Sequence, residues 1–319
     1  MTTRPAVLVA RAVFGDIVDR LRVHFDVEDN PADRIFSKAE LTEHLKGKAG
    51  AFITGSERID AEVLDANPQL RAVCNMAVGY NNIDIDACNA RGVLTTNTPD
   101  VLTETTADFG FALMMATARR IAESEHFLRA GKWTHWSYDL FAGADVHGAT
   151  LGVLGMGRIG QAIAQRALAF GMRVAYTARS AKPALPYAYH PSARELAAQS
   201  DFLVVITPGG AGTRKLIDAA VLDALGPQGY LVNVARGSVV DEAALVAALQ
   251  QGRIAGAALD VFENEPHVPE ALRQMDNVVL VPHIGSATRA TRQAMADLAR
   301  DNLVRHFAGQ APKTPVPEC

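Results

Sequence analysis

Residues 151–160, Leu-Gly-Val-Leu-Gly-Met-Gly-Arg-Ile-Gly, restrict what this chain can fold into more than any other stretch. An apolar run of strand type enters a Gly-x-Gly-x-x-Gly turn, and from Gln161 to Phe170 apolar residues recur at helical spacing. The order is strand, tight turn, helix. Each glycine has a steric reason: Gly155 turns sharply, Gly157 admits a diphosphate to the backbone, and Gly160 lets helix and strand pack closely. Arg158 and Ile159 complete the turn. The unpaired amides and positive dipole end of the helix favour a diphosphate, so the expected ligand is a dinucleotide rather than a metal or a bare sugar.

A dinucleotide with a free ribose 2′-hydroxyl usually meets an Asp or Glu about 20 residues further on. No acidic residue occurs between Gly160 and Glu195. The next strand, Arg173 to Tyr176, runs instead into Thr177, Ala178, Arg179 and Ser180. A permanently charged planar fork beside a hydroxyl suits a 2′-phosphate better than a diol. NADP(H) is therefore expected ahead of NAD(H). The plain alternative for Arg179 is a solvated loop cation.

The 319 residues exceed what one core usually holds, and 49% hydrophobic content is enough for two. A net charge of -4 without clustered lysines or arginines leaves no electrostatic footprint for nucleic acid or a membrane surface. The opening residues carry no secretory core and no stretch is apolar for the length of a bilayer, so a cytoplasmic location is expected. Cys74, Cys88 and Cys319 are odd in number, far apart and outside any Cys/His cluster, which reads as reduced thiols and no metal.

Along the first part of the chain, strand-like runs (Ala6 to Ala10, Val23 to Val27, Ala51 to Thr54, Leu70 to Asn75, Val93 to Thr96) alternate with helix-like segments (Asp16 to Leu21, Lys38 to Lys46, Asp60 to Ala66, Ile83 to Ala90). Alternation predicts a parallel sheet covered on both faces. A long helix is predicted from Thr103 to Gly131, apolar nearly all round in its middle and so more buried than a surface helix. The loop Gly131 to Phe141 that follows holds four aromatics, which favours a subunit interface over a plug on the domain's own surface. From Leu151 the alternation resumes, with strands at Phe202 to Ile206, Tyr230 to Val234, Ala257 to Val261 and Val278 to Val281, and a helix at Glu242 to Gln250. The last helix, Thr288 to Phe307, is expected to cross back to the first domain. The chain thus reads as α/β, with a dinucleotide-binding domain at 100–286 and a substrate domain made of 1–99 and 287–319.

Three polar residues fall just past strand ends of the second domain, where open α/β sheets place their ligands. Arg236 can grip an α-keto carboxylate with paired N–H groups. His283 can hand a proton to a ketone oxygen as hydride reaches the carbon. Glu265 beside the imidazole would favour its protonated form and fix its tautomer.

Residues 102–120, 151–174, 231–266 and 278–288 together resemble the D-isomer-specific 2-hydroxyacid dehydrogenases, with a likeness that runs over nearly the whole chain. The resemblance implies two doubly wound parallel-sheet domains, a Rossmann-type cofactor domain inserted into a flavodoxin-like substrate domain. It also implies reduction of a small 2-ketoacid to a D-2-hydroxyacid. The family's catalytic arginine, glutamate and histidine fall on Arg236, Glu265 and His283, and its carboxylate-binding amides on the Val78, Gly79 and Tyr80 turn. Pro208, Thr213, Val234, Ala235, Asp260, His283 and Ser286 match cofactor-contacting positions. Within the family the chain is most similar to glyoxylate/hydroxypyruvate and 2-ketogluconate reductases, and other relatives of the fold are dinucleotide-sensing corepressors. A homodimer is implied, and Trp136 matches a loop tryptophan that in some relatives enters the neighbouring subunit's substrate site. Residues 209–212, Gly-Gly-Ala-Gly, depart from the family's more usual Leu-Thr-Pro-Glu, predicting a more flexible loop.

Overall fold

In the computed structural model of the protein, which describes residues 4–318, the chain forms two compact units. One contains the residues up to Leu102 together with those from Ala287 onward; the other is Thr103–Ser286.

The first unit holds strands β1 (Ala6–Val9), β2 (Asp26–Asp29), β3 (Gly50–Ile53), β4 (Ala72–Asn75) and β5 (Leu94–Thr96), with helices α1 (Gly15–Arg22), α2 (Lys38–His44), α3 (Ala61–Asp65) and α4 (Ile85–Ala90) between them. All pairs are parallel and the order is β2-β1-β3-β4-β5, the flavodoxin-like arrangement. Successive strand residues point to opposite faces, so Val7 and Val9 enter one cluster with Ile17 and Leu21 of α1, while Leu8 and Ala10 enter another with Leu41 of α2 and Val63 of α3. Both faces are therefore covered. The long helix after the second unit, Arg289–Phe307, lays Ala296, Ala299 and Leu303 on the first of these faces.

The sequence placed β2 at Val23 to Val27, but Val23 closes the end of α1 and is exposed. The true strand lies at the sheet edge and reads Asp-Val-Glu-Asp, without the apolar face that would have announced it.

The second unit contains β6 (Thr150–Leu154), β7 (Arg173–Thr177), β8 (Ala188–Tyr189), β9 (Phe202–Val205), β10 (Tyr230–Asn233), β11 (Gly256–Leu259) and β12 (Val278–Leu280) in one parallel sheet ordered β12-β11-β10-β9-β6-β7-β8. The order reverses between β6 and β9, the topological switch point of a Rossmann sheet. Two-residue β8 had no counterpart in the sequence reading.

Helix α5 (Thr103–Ala118) is buried at Ala107, Met114 and Ala118, but it does not run on to Gly131 as predicted. Arg120 adopts a left-handed conformation (φ 51°), and α6 (Ile121–Arg129) begins anew. The Arg120 fork grips both carboxylate oxygens of Glu123 at 2.7 and 2.8 Å and lies over the Phe141 ring. The returning chain caps α5, with the Ala144 amide donating to the Ala118 carbonyl at 2.8 Å. These contacts hold a break that neither Gly nor Pro marks in the sequence.

No helix among the described residues is long and apolar enough to cross a membrane. Cys74 and Cys88 are buried, and burial pushes the Cys74 thiol up to about 12; Cys319 lies outside the described residues.

Candidate active site

The Gly-x-Gly-x-x-Gly turn joins β6 to α7 (Arg158–Ala169) at the switch point. Gly155 has φ of +111°, and a Cβ on Gly160 would lie 2.1 Å from the Gly155 carbonyl oxygen, so neither position accepts a side chain. At Gly157 a Cβ would meet nothing within 4 Å, which leaves the room beside the helix N-terminus that a diphosphate requires. Ile159 is half-buried and Arg158 exposed on the first turn of α7.

At the end of β7 the Thr177 hydroxyl donates to the His190 carbonyl (2.8 Å), and Arg179 and Ser180 beyond it are exposed. After β9, the Thr213 hydroxyl donates to the Pro208 carbonyl at 2.7 Å and closes the small-residue segment around a short 3-10 turn, Ala211–Thr213. Val234 and Ala235 are buried directly after β10.

Arg236 follows them on a loop pinned by Asn233. The buried Asn233 side chain donates to the Arg236 carbonyl at 3.1 Å and accepts from the Ala235 amide at 3.1 Å. Burial lowers the Arg236 pKa and the nearby Glu265 charge opposes that, but an arginine starts so high that it stays charged. Gly237 is required for closeness: a Cβ there would lie 1.9 Å from the Phe262 carbonyl carbon.

Glu265 and His283 come together. Glu265 Oε1 accepts from the Phe262 amide at 3.0 Å, and Oε2 lies 2.8 Å from His283 Nδ1. Burial disfavours the Glu265 charge, but the His283 hydrogen bond and charge, the Phe262 amide and Arg236 outweigh it and hold the carboxyl below its usual range. The His283 backbone is left-handed (φ 52°) and its amide donates to the Asp260 carbonyl at 2.9 Å. The Asp260 carboxylate accepts from the Ile284 and Gly285 amides at 2.6 and 2.9 Å, so it grips the loop that carries the histidine. Burial raises its pKa while those amides and His283 lower it, with a net upward shift. Sequence reasoning assigned Asp260 to the cofactor alone and missed this anchoring; an acidic residue at a strand end 23 positions before the histidine was the only available signal. Ser286 is half-buried at the end of the same loop.

With Nδ1 facing the carboxylate, the imidazole has Nε2 left for chemistry, and the side chain is 48% exposed, within reach of a small molecule. In the first unit the Val78–Gly79 turn follows the carboxyl end of β4. In the loop after α6, Trp133, Trp136 and Tyr138 are 54%, 73% and 92% exposed.

A hydride-transferring enzyme needs this combination, a dinucleotide turn at a switch point and a carboxylate-held proton donor past strand ends of the same sheet, and the fold defines a dinucleotide-binding oxidoreductase. Residues 111–285 match the family model for the D-isomer specific 2-hydroxyacid dehydrogenase, NAD binding domain, and the chain belongs to that family. A glyoxylate reductase of Thermococcus kodakarensis is 45% identical over 98% of this chain and 96% of its own length. A glyoxylate/hydroxypyruvate reductase of Arabidopsis thaliana is 47% identical, over 88% of this chain and 89% of the relative. The crystal structure of an NADPH-dependent glyoxylate/hydroxypyruvate reductase from Sinorhizobium meliloti, in complex with NADP and malonate, is similar with a TM-score of 0.89 and 43% identity, covering 99% of this chain and 98% of that one.

Proposed function

We propose that the protein reduces glyoxylate and hydroxypyruvate to D-2-hydroxyacids with NADPH as the preferred donor. The observation that carries this reading is the His283–Glu265 contact, which equips a strand end of the dinucleotide unit with a proton donor. The similar enzymes from Thermococcus kodakarensis, Arabidopsis thaliana and Sinorhizobium meliloti, by their names, support the substrate class.

The residues fit a dinucleotide. Gly155, Gly157, Arg158, Ile159 and Gly160 would hold its diphosphate, and Pro208, Thr213, Val234, Ala235, Asp260, His283 and Ser286 would line the rest. Arg179 and Ser180 would take a 2′-phosphate: both are exposed past β7, and no hydrogen bond or ion pair engages the Arg179 guanidinium among the described residues. When bound, the reduced nicotinamide supplies hydride to the carbonyl carbon. The protein's own part is to fix the carboxylate with Arg236 and the Val78 and Gly79 amides, and to deliver the proton from His283 Nε2 to the carbonyl oxygen. Glu265, 2.8 Å from Nδ1, holds the imidazole in the orientation and tautomer that leave Nε2 facing the substrate.

The partner of the exposed aromatic loop is a second copy of the chain, with Trp136 entering its substrate site. Initial rates for glyoxylate, hydroxypyruvate and 2-ketogluconate with NADH and NADPH test the proposal. The highest kcat/KM for 2-ketogluconate, or no turnover with any 2-ketoacid, overturns it.

A further inference from the structure

The Val78–Gly79 turn is held from behind by three consecutive carbonyls. The Ala77 carbonyl accepts from the Thr98 amide at 2.9 Å, the Val78 carbonyl from the Asn97 side chain at 2.8 Å, and the Gly79 carbonyl from the Asn75 side chain at 3.0 Å. In a trans peptide the C=O of one residue and the N–H of the next point in opposite directions. Fixing those three carbonyls therefore fixes the N–H vectors of Val78, Gly79 and Tyr80, each aimed away from its own anchor. Successive backbone N–H groups in a turn can bind an anion together.

The anchors are themselves immobilised. Asn75 is fully buried and Asn97 is 7% exposed. The Asn97 carbonyl accepts from the Thr314 hydroxyl at 2.7 Å, and that threonine is gripped by buried Asn302, whose side chain donates to the hydroxyl at 2.7 Å and accepts from the Thr314 amide at 3.1 Å. The Tyr80 hydroxyl donates to the Glu318 carboxylate at 3.0 Å, so the segment after the last helix also holds the residue that ends the turn.

We propose that Asn75 and Asn97 are positioning residues for 2-ketoacid binding, orienting the turn's amides toward the substrate carboxylate by holding the carbonyls on the opposite side. The inference rests on the reading of this turn as the carboxylate site. An asparagine is suited to the task because its NH₂ donates without a charge that would compete for the anion.

The test uses the full-length protein with bound NADPH, labelled with ¹⁵N-glycine, and oxamate as a 2-ketoacid isostere. In wild type the Gly79 amide resonance should move as oxamate saturates. In Asn97→Leu and Asn75→Leu that movement should shrink and the KM for glyoxylate should rise about tenfold, as loss of one well-aimed hydrogen bond to a charged group implies. The KM for NADPH and, at saturation, kcat should stay within about twofold, because uniform binding is what is lost. If the leucine variants fail to fold, Asn97→Ala and Asn75→Ala remove the amide donor without adding bulk or charge, with the same expectation. Folded variants with unchanged glyoxylate KM and full Gly79 movement overturn the inference and leave the carboxylate reading standing. A wild-type Gly79 resonance unmoved by saturating oxamate overturns that reading, and the inference with it.

Discussion

His283 Nδ1 lies 2.8 Å from Glu265 Oε2, on a loop that the Asp260 carboxylate grips through two backbone amides. The imidazole is thus aimed from both sides, by its ring partner and by its backbone. Removing the proton donor of a carbonyl reduction costs roughly 10²- to 10⁴-fold in rate. His283→Ala should lower kcat by that factor while the Kd for NADPH, measured by fluorescence titration, changes far less. Retention of wild-type turnover would remove His283 from the chemistry.

The acid side of the same pair has its own signature. Partial burial opposes the Glu265 charge, and the leading compensations are the hydrogen bond and charge of His283. The folded-state pKa is depressed, so this carboxylate's stabilising contribution is present above its unfolded value and is lost as pH falls through the lower folded value. Without His283 the burial penalty remains and the two largest compensations vanish. The ¹³C carboxyl resonance of Glu265 should therefore titrate at higher pH in His283→Ala than in wild type. A midpoint that stays put would show that the two side chains do not interact in solution.

What the sequence disclosed and what it hid follow from the physics of each signal. Both parallel sheets were legible because their central strands are buried on both faces and read as apolar runs, as in Phe202–Val205 and Ala72–Asn75. Edge strands do not carry that signal: Asp26–Asp29 is acidic and Ala188–Tyr189 has two residues. The break at Arg120 was hidden because a side-chain fork on Glu123 and a backbone cap from Ala144 enforce it, and both are tertiary contacts. Arg236, Glu265 and His283 were legible one by one from their places after strands. The devices that aim them were not: Asn233 on the Arg236 loop, Asp260 on the His283 loop and the close approach of Gly237 to Phe262 depend on loops distant in sequence.

The aromatic loop makes a prediction about assembly. Trp136 and Tyr138 stand edge to face, 6.2 Å apart, and both are exposed. Large exposed aromatics on one short segment fit an interface, where such residues are enriched, better than they fit a solvated surface. Trp136→Ala should raise the dimer dissociation constant in sedimentation velocity and change the ratio of kcat/KM between glyoxylate and hydroxypyruvate in the same protein. A wild-type monomer at working concentration, with a substrate ratio indifferent to the substitution, would leave the loop as a surface feature.

The proposed preference for NADPH rests on a single side chain. Arg179 stands exposed at the end of β7 in a segment with no acidic residue, and no hydrogen bond or ion pair among the described residues occupies its guanidinium. If it grips a 2′-phosphate, Arg179→Ala forfeits charge-assisted hydrogen bonds worth about 1.5 to 3 kcal/mol, a ten- to hundredfold rise in the NADPH dissociation constant. NADH has no phosphate there, so its binding should be unchanged. Adding a carboxylate at Thr177 is the less clean route to the same end, because the Thr177 hydroxyl donates to the His190 and Ser192 carbonyls at 2.8 and 3.2 Å. An aspartate would set its charge against two carbonyl oxygens and disturb the strand end before it met any ribose. Titration of Arg179→Ala with both dinucleotides separates the causes: equal losses for NADPH and NADH indicate a distorted site, a loss confined to NADPH indicates the phosphate grip, and no loss with either makes Arg179 a solvated cation.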